Sequence, residues 1–401
     1  MDTSKLQPIM QKFVALIDAN GGEMRKALEK ALEYVHEKNV IEYTDIRTLD
    51  DYIEWNNKNL ITPWLENRYG TATLEKFKTM YFLLDVAPVG QYQNAELPRP
   101  MDPALTPLSE WMREYQIALG QWMDDPSWLT PEVEKSFDDA LPYNMNEYVR
   151  PRGGWKTVNQ LFARRTKPGY RPIAAIDDPH IIVSPAESTF AGQWEVNSNT
   201  AVNIKGLHWQ IQELLEGSDY KDCFDGGQWT HSFLNTYDYH RQHAPVMGTI
   251  LESRVIQGAV YVQMTLVPAD GQKDAQMILG KTVAVNPDAS NKAFKIDAPD
   301  NAGYEFMQTR GIIIIDSPIG LVAVCPIGMG QVSSVVPTAE VGRTLYKGEE
   351  ISYFQFGGSD CCMAFQEKSN ISFTAQPGVH YKVGTKIADA YPVIDFKVRH
   401  K

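Results

Sequence analysis

Tyr353-Phe354-Gln355-Phe356-Gly357-Gly358-Ser359-Asp360-Cys361-Cys362-Met363-Ala364-Phe365 sets aromatic and other apolar residues on both sides of a Gly-Gly-Ser step. The pattern reads as two strand-like runs joined by a tight bend that glycine makes permissive. Taken alone it is an ordinary hairpin turn, and short motifs of this size recur by chance. Two further segments precede it in the chain and add weight. They are Leu161-Phe162-Ala163-Arg164-Arg165-Thr166-Lys167-Pro168-Gly169-Tyr170-Arg171-Pro172-Ile173 and Tyr239-His240-Arg241-Gln242-His243-Ala244-Pro245-Val246-Met247-Gly248.

Working outward, the chain divides by pattern near residue 150. Before it, apolar residues recur at helical spacing from Leu6 to Ile17, from Met24 to Val35, from Leu74 to Leu84 and from Leu108 to Trp122. Asn20-Gly21-Gly22 is a stop signal, and Thr48 before Asp50 and Asp51 is a start signal. A further helix is expected after Thr130-Pro131-Glu132, and the proline-dense Pro88 to Pro107 stretch reads as an irregular surface connection. Beyond Gly153-Gly154 come short β-rich runs, at Ile181 to Val183, Thr249 to Val262, Ile312 to Ile315 and Leu321 to Cys325, with one helix-like insert from Trp209 to Leu215. The expected class is α+β, with a helical N-terminal region over 1–150 and a β-rich, mostly antiparallel domain over 151–401.

At 401 residues the chain can bury a substantial core. A net charge of -12 argues against nucleic acid and against adhesion to anionic membranes. The apolar Gly311 to Gly328 region is broken by Asp316, Pro318 and Pro326, so it reads as two buried strands rather than a membrane span. The first residues, Met1-Asp2-Thr3-Ser4-Lys5-Leu6, have neither signal-peptide nor presequence character, and a cytoplasmic protein is the expectation. The four cysteines have no metal-type spacing; Cys361 and Cys362 should point to opposite faces of a strand as reduced packing residues. A metal site from Asp238, His240 and His243 lacks a partner cluster in the sequence, so no metal is expected.

The three ordered segments resemble the phosphatidylserine decarboxylase family, whose members cut their own chain before a Gly-Ser serine and convert that serine to a pyruvoyl group. The resemblance covers roughly residues 155 to 390. It implies cleavage between Gly358 and Ser359 into chains 1–358 and 359–401, with Ser359 as nucleophile and pyruvoyl precursor and Gly358 carrying the attacked carbonyl. It assigns the base to His243 and makes His240 a candidate proton donor in decarboxylation. The acid partner of His243 lies in a Ser-Pro-x-Asp-Gly-like segment, here Ser184-Pro185-Ala186-Glu187-Ser188, so Glu187 stands where the family has Asp. The ketone would replace pyridoxal phosphate as electron sink, and no external cofactor is implied.

The Glu187 departure, the helical extension and Phe233-Leu234-Asn235-Thr236-Tyr237-Asp238 before the histidines resemble a soluble branch that includes the fungal tryptophan decarboxylase of psilocybin biosynthesis. That implies decarboxylation of a free L-amino acid, aromatic ones among the candidates, by a homodimer. Phosphatidylserine decarboxylation by a peripherally bound enzyme is the first alternative. A non-cleaving binding protein on the same fold is the second, because Asp360 follows the serine where the family often has Ser or Thr; its carboxylate has either a substrate amine or solvent to face.

Overall fold

The computed structural model describes residues 2–98, 104–197, 201–261, 264–269, 293–297, 303–329, 335–356 and 358–393. Six helices open the chain: α1 Pro8–Asp18, α2 Glu23–Glu37, α3 Leu49–Ile61, α4 Ala72–Asp85, α5 Pro107–Met123 and α6 Pro131–Asp139. Their boundaries follow local chemistry. Asn20, Gly21 and Gly22 all take positive φ and end α1. Thr48 and Asp51 close a capping box on α3, the Thr48 hydroxyl accepting from Asp51 N at 3.1 Å and the Asp51 carboxylate from Thr48 N at 2.8 Å. In α5 and α6 a threonine cap precedes a proline at the first turn, where the missing N–H costs nothing.

The helices bury one continuous apolar cluster, with Phe13 stacked on Trp111 at 4.2 Å. This cluster reaches past residue 150. It also takes in Trp155, Leu161 and Phe162, Leu266, Phe294 and Ile296, and Phe356.

The second half is built on an eight-stranded antiparallel sheet. Its spatial order is Thr344–Leu345, Gly248–Ile256, Arg310–Ser317, Gly320–Gly328, Gly358–Phe365, Gln228–Phe233, Ser188–Glu195 and Val379–Tyr381. Both faces are covered, which explains the unbroken Ile312 to Ile315 run: Ile313 and Ile315 enter one apolar cluster, Ile312 and Ile314 the other. Cys361 and Cys362 divide between the same two clusters, as the strand period requires. Among the described residues no helix is long and apolar enough to cross a membrane.

Three expectations need revision. Trp209 lies in a strand, Leu207–Gln210, and the helix after it is only Ile211–Leu214, because the segment pairs with Ala201–Ile204. The strand beginning near Thr249 ends at Ile256, while Val262 lies outside the described residues. Most consequentially, the opening stretch is not a hairpin. Glu350–Phe354 belongs to a three-stranded sheet with Val335–Pro337 and Arg241–His243, whereas Gly358–Phe365 belongs to the large sheet. Between them the chain dips into the helical core: the Phe356 ring packs on Trp64 at 5.6 Å, Phe162 at 5.2 Å and Phe77 at 6.4 Å. Asn159 Oδ1 accepts from Phe356 N at 3.1 Å.

Candidate active site

Ser359 stands at an irregularity in the large sheet. Gly358 pairs with Gly328 and Asp360 with Ile327, so the register shifts and leaves Ser359 as the extra residue of a β-bulge. Bulges re-aim a residue out of the regular pleat and recur beside active sites. Gly357 lies outside the described residues.

The three segments singled out in the sequence converge on this point. Phe354 N donates to the His240 carbonyl at 2.8 Å. The His240 ring stacks on Phe162 at 4.1 Å, and Phe162 in turn touches Phe356. Arg241 donates to the Ala163 carbonyl at 2.8 Å and to Glu350 at 2.7 Å, and its guanidinium covers the Tyr353 ring. Of the two motif histidines, His240 is thus the one beside the scissile stretch.

The His243 ring is held by two other groups. Its Nδ1 lies 2.7 Å from the Gly348 carbonyl and its Nε2 3.0 Å from the Tyr239 hydroxyl. A carbonyl only accepts, so Nδ1 carries the proton and Nε2 is the basic nitrogen, receiving the Tyr239 hydroxyl in the neutral ring. Burial pushes the imidazole below its ordinary 6.5, with the Gly348 hydrogen bond opposing.

Glu187 is near His243 in backbone but is not its hydrogen-bond partner. His243 N donates to the Pro185 carbonyl at 2.8 Å, yet no hydrogen bond or ion pair joins the two side chains. The Glu187 carboxylate is held instead by Arg171 at 2.5 Å, and Arg171 also binds Glu147 at 2.6 Å. Burial raises the Glu187 pKa against the pull of Arg171. Glu187, Asp238 and His380 bring one ligand atom each within 4.8 Å of one another. His380 Nε2 is 3.0 Å from Asp238 Oδ1, and that hydrogen bond raises the His380 pKa. Since the Arg171 guanidinium already supplies positive charge to Glu187, the arrangement is that of an ion-pair network.

This network lies at the same end of the sheet as Ser359. Asp360 pairs with Phe233, Phe233 with Thr189, and Thr189 with His380. Two strand spacings separate Asp360 from Thr189, about 10 Å. The sequence points to Glu187 but not to His380, which lies in no motif, nor to the part that Arg171 plays.

Asp360 does not face solvent. It is fully buried and accepts from the Tyr304 hydroxyl at 2.6 Å. His231 Nε2 lies 3.1 Å from Glu305 and 3.5 Å from Asp360. Burial raises Glu305 to about 7, with His231 pulling the other way. None of His231, Tyr304 and Glu305 belongs to a segment that carried the resemblance.

A cleft of about 670 Å³ opens where helices meet sheet, lined among others by Trp155, Arg164, Arg165, Arg241, Tyr353 and Gln355. Its floor is therefore the strand that leads into Phe356 and Gly358.

Replacing Arg171 with methionine would leave Glu187 buried without its cation. The expected loss is about 3–5 kcal/mol of stability, read by urea denaturation. An unchanged midpoint would show that Glu187 is neutral in the folded chain.

Comparison with known proteins agrees with this arrangement. The phosphatidylserine decarboxylase profile matches residues 158–389. Phosphatidylserine decarboxylase proenzyme 3 of Schizosaccharomyces pombe is 32% identical over 256 residues, 64% of this chain and 23% of that protein. A phosphatidylserine decarboxylase proenzyme of Fusobacterium nucleatum is 27% identical over 260 residues, 65% of this chain and 73% of that one. Decarboxylase iboD of Amanita muscaria is 27% identical over 275 residues, 65% of this chain and 75% of its own. The chain spans 23% of the yeast relative and 34% of a rice one, so those proteins extend well beyond the shared region. With more than half its length in the match, and with the matching segments meeting around one serine, this chain belongs to the phosphatidylserine decarboxylase family.

Proposed function

We propose that the protein is a self-processing, pyruvoyl-dependent decarboxylase of a free L-amino acid, cut between Gly358 and Ser359. The observation that carries the reading is the Gly358-Ser359 step itself, set in a bulge between two anchored neighbours and ringed by the family segments. In self-cleavage the Ser359 hydroxyl oxygen bonds to the Gly358 carbonyl carbon, the C–N bond breaks and the nitrogen takes up a proton. Loss of the Ser359 α-proton expels the Gly358 carboxylate. Water then replaces nitrogen, ammonia leaves, and a ketone remains at residue 359. A pyruvoyl group at this position would supply an electron sink to the substrate amine.

The chain's own residues would do the rest. His243 Nε2 is the basic nitrogen and takes the α-proton, Tyr239 holding it in that tautomer. His240, packed against Phe162 beside the scissile stretch, returns a proton to carbon after carbon dioxide leaves. Glu187 enters by fixing Arg171 next to the Asp238–His380 pair, not by bonding His243. The cleft size suits a small molecule, and Trp155 and Tyr353 offer it aromatic surface. Decarboxylase iboD, one of the relatives, is named for no lipid. The relatives named as phosphatidylserine decarboxylases favour the lipid reading, which the same cleft would have to serve.

Carbon dioxide release from a panel of free amino acids and from phosphatidylserine vesicles separates the two. Release from a free amino acid alone supports the proposal; release from the vesicles alone replaces it with the lipid activity.

The pH profile of cleavage tests His243. A base must be neutral, and a lowered pKa keeps it neutral further into acid. The cleavage rate should therefore hold its plateau down through pH 6.5 and fall only below it. A half-maximal rate above pH 6.5 would count against His243 as the base.

A further inference from the structure

We propose that the buried Tyr304, Asp360, His231 and Glu305 side chains form a positioning device that holds residue 359 in the bulge for self-cleavage. The inference rests on reading Gly358-Ser359 as the cleavage site and goes beyond it, since Tyr304, His231 and Glu305 lie outside the segments that define that site.

The geometry is specific. Asp360 and Cys362 share one face of the Gly358–Phe365 strand, and His231 pairs with Cys362, so His231 and Asp360 are diagonal neighbours. Tyr304 reaches the other Asp360 oxygen from a short turn, Tyr304–Phe306, that also brings Glu305 onto His231. Gly303 N donates to the second Glu305 oxygen at 2.5 Å, tying the turn to its own carboxylate. All four side chains are at most 1% exposed.

Two carboxylates, an imidazole and a phenol in a dry core are a poor way to gain stability, because apolar residues of similar volume serve as well or better. Their cost is understandable if they fix a backbone that must not move. Upstream, Phe356 is fastened in the helical core and by Asn159. Downstream, Asp360 is fastened by the Tyr304 hydroxyl, and His231 Nε2 lies 3.5 Å from its other oxygen. Only Gly357, Gly358 and Ser359 lie between, so the two anchors together set the approach of one hydroxyl to one carbonyl. After cleavage Asp360 remains joined to residue 359 and keeps the new chain start at the same place.

The test is a time course of intact mass on freshly purified full-length protein, comparing the parent with Tyr304→Phe, Asp360→Leu and Asp360→Asn. Thermal unfolding of each is measured alongside. Asparagine still accepts from Tyr304, so Asp360→Asn should cleave within a few fold of the parent. Asp360→Leu and Tyr304→Phe should cleave at least about tenfold more slowly while unfolding at the parent temperature or above. Should the leucine variant fail to fold, Tyr304→Phe, which deletes one hydroxyl, decides alone. Parent-like cleavage in Tyr304→Phe overturns the proposal. So does an asparagine variant as slow as the leucine one, which would assign the effect to charge. A parent chain that stays whole refutes the cleavage-site reading itself, a separate result.

Discussion

Ser359→Ala should leave the chain in one piece and abolish decarboxylation. Alanine has no hydroxyl to carry the Gly358 acyl group, so neither the ester nor the ketone can form. The loss should be complete, because no other side chain can become the electron sink. The fold should survive, since the flanking anchors at Phe356 and Asp360 are untouched. A gel and an activity assay read both effects: one band and background carbon dioxide are expected. Decarboxylation by an uncut Ser359→Ala chain would mean that the chemistry lies elsewhere.

Phe356→Ala should be the most damaging substitution outside the reacting atoms. The ring is 2% exposed and meets three aromatic partners across the boundary between helices and sheet. Deleting such a ring costs about 3–5 kcal/mol, from lost transfer energy and the cavity left behind. Because residue 356 is only three positions before Ser359, cleavage should slow by at least about tenfold as well. Urea denaturation and the cleavage time course give the two numbers. A destabilised variant that still cleaves at the parent rate would show that the helical core supports the fold without positioning the scissile step.

Much of this was legible in the sequence. Apolar spacing located the helices, since each buries one face, and the Gly311 to Gly328 run was readable as paired strands because Pro318 falls at the turn between them. The three motif segments singled out Ser359, His240 and His243 as candidates. Other features depended on contacts between distant residues. The Tyr353 to Phe365 stretch looked like a hairpin because local pattern cannot show that Phe356 is captured by Trp64 and Phe77, nearly three hundred residues earlier in the chain. Glu187 was readable as a carboxylate in the right segment, but its partner was not, because Arg171 reaches it from irregular chain and His380 from the separate Val379–Tyr381 strand. Asp360 read in the sequence as a carboxylate facing either a substrate amine or solvent. Its burial is set by Tyr304 and His231, which come from two other segments and match no pattern.

The most direct test of the central claim is the intact mass of the purified wild-type protein after incubation. Two chains are expected, 1–358 and 359–401, the shorter one lighter by ammonia than a peptide starting with serine. Their summed mass should exceed that of the uncut chain by one water less one ammonia. A single species with the full mass of the 401-residue chain would contradict the account.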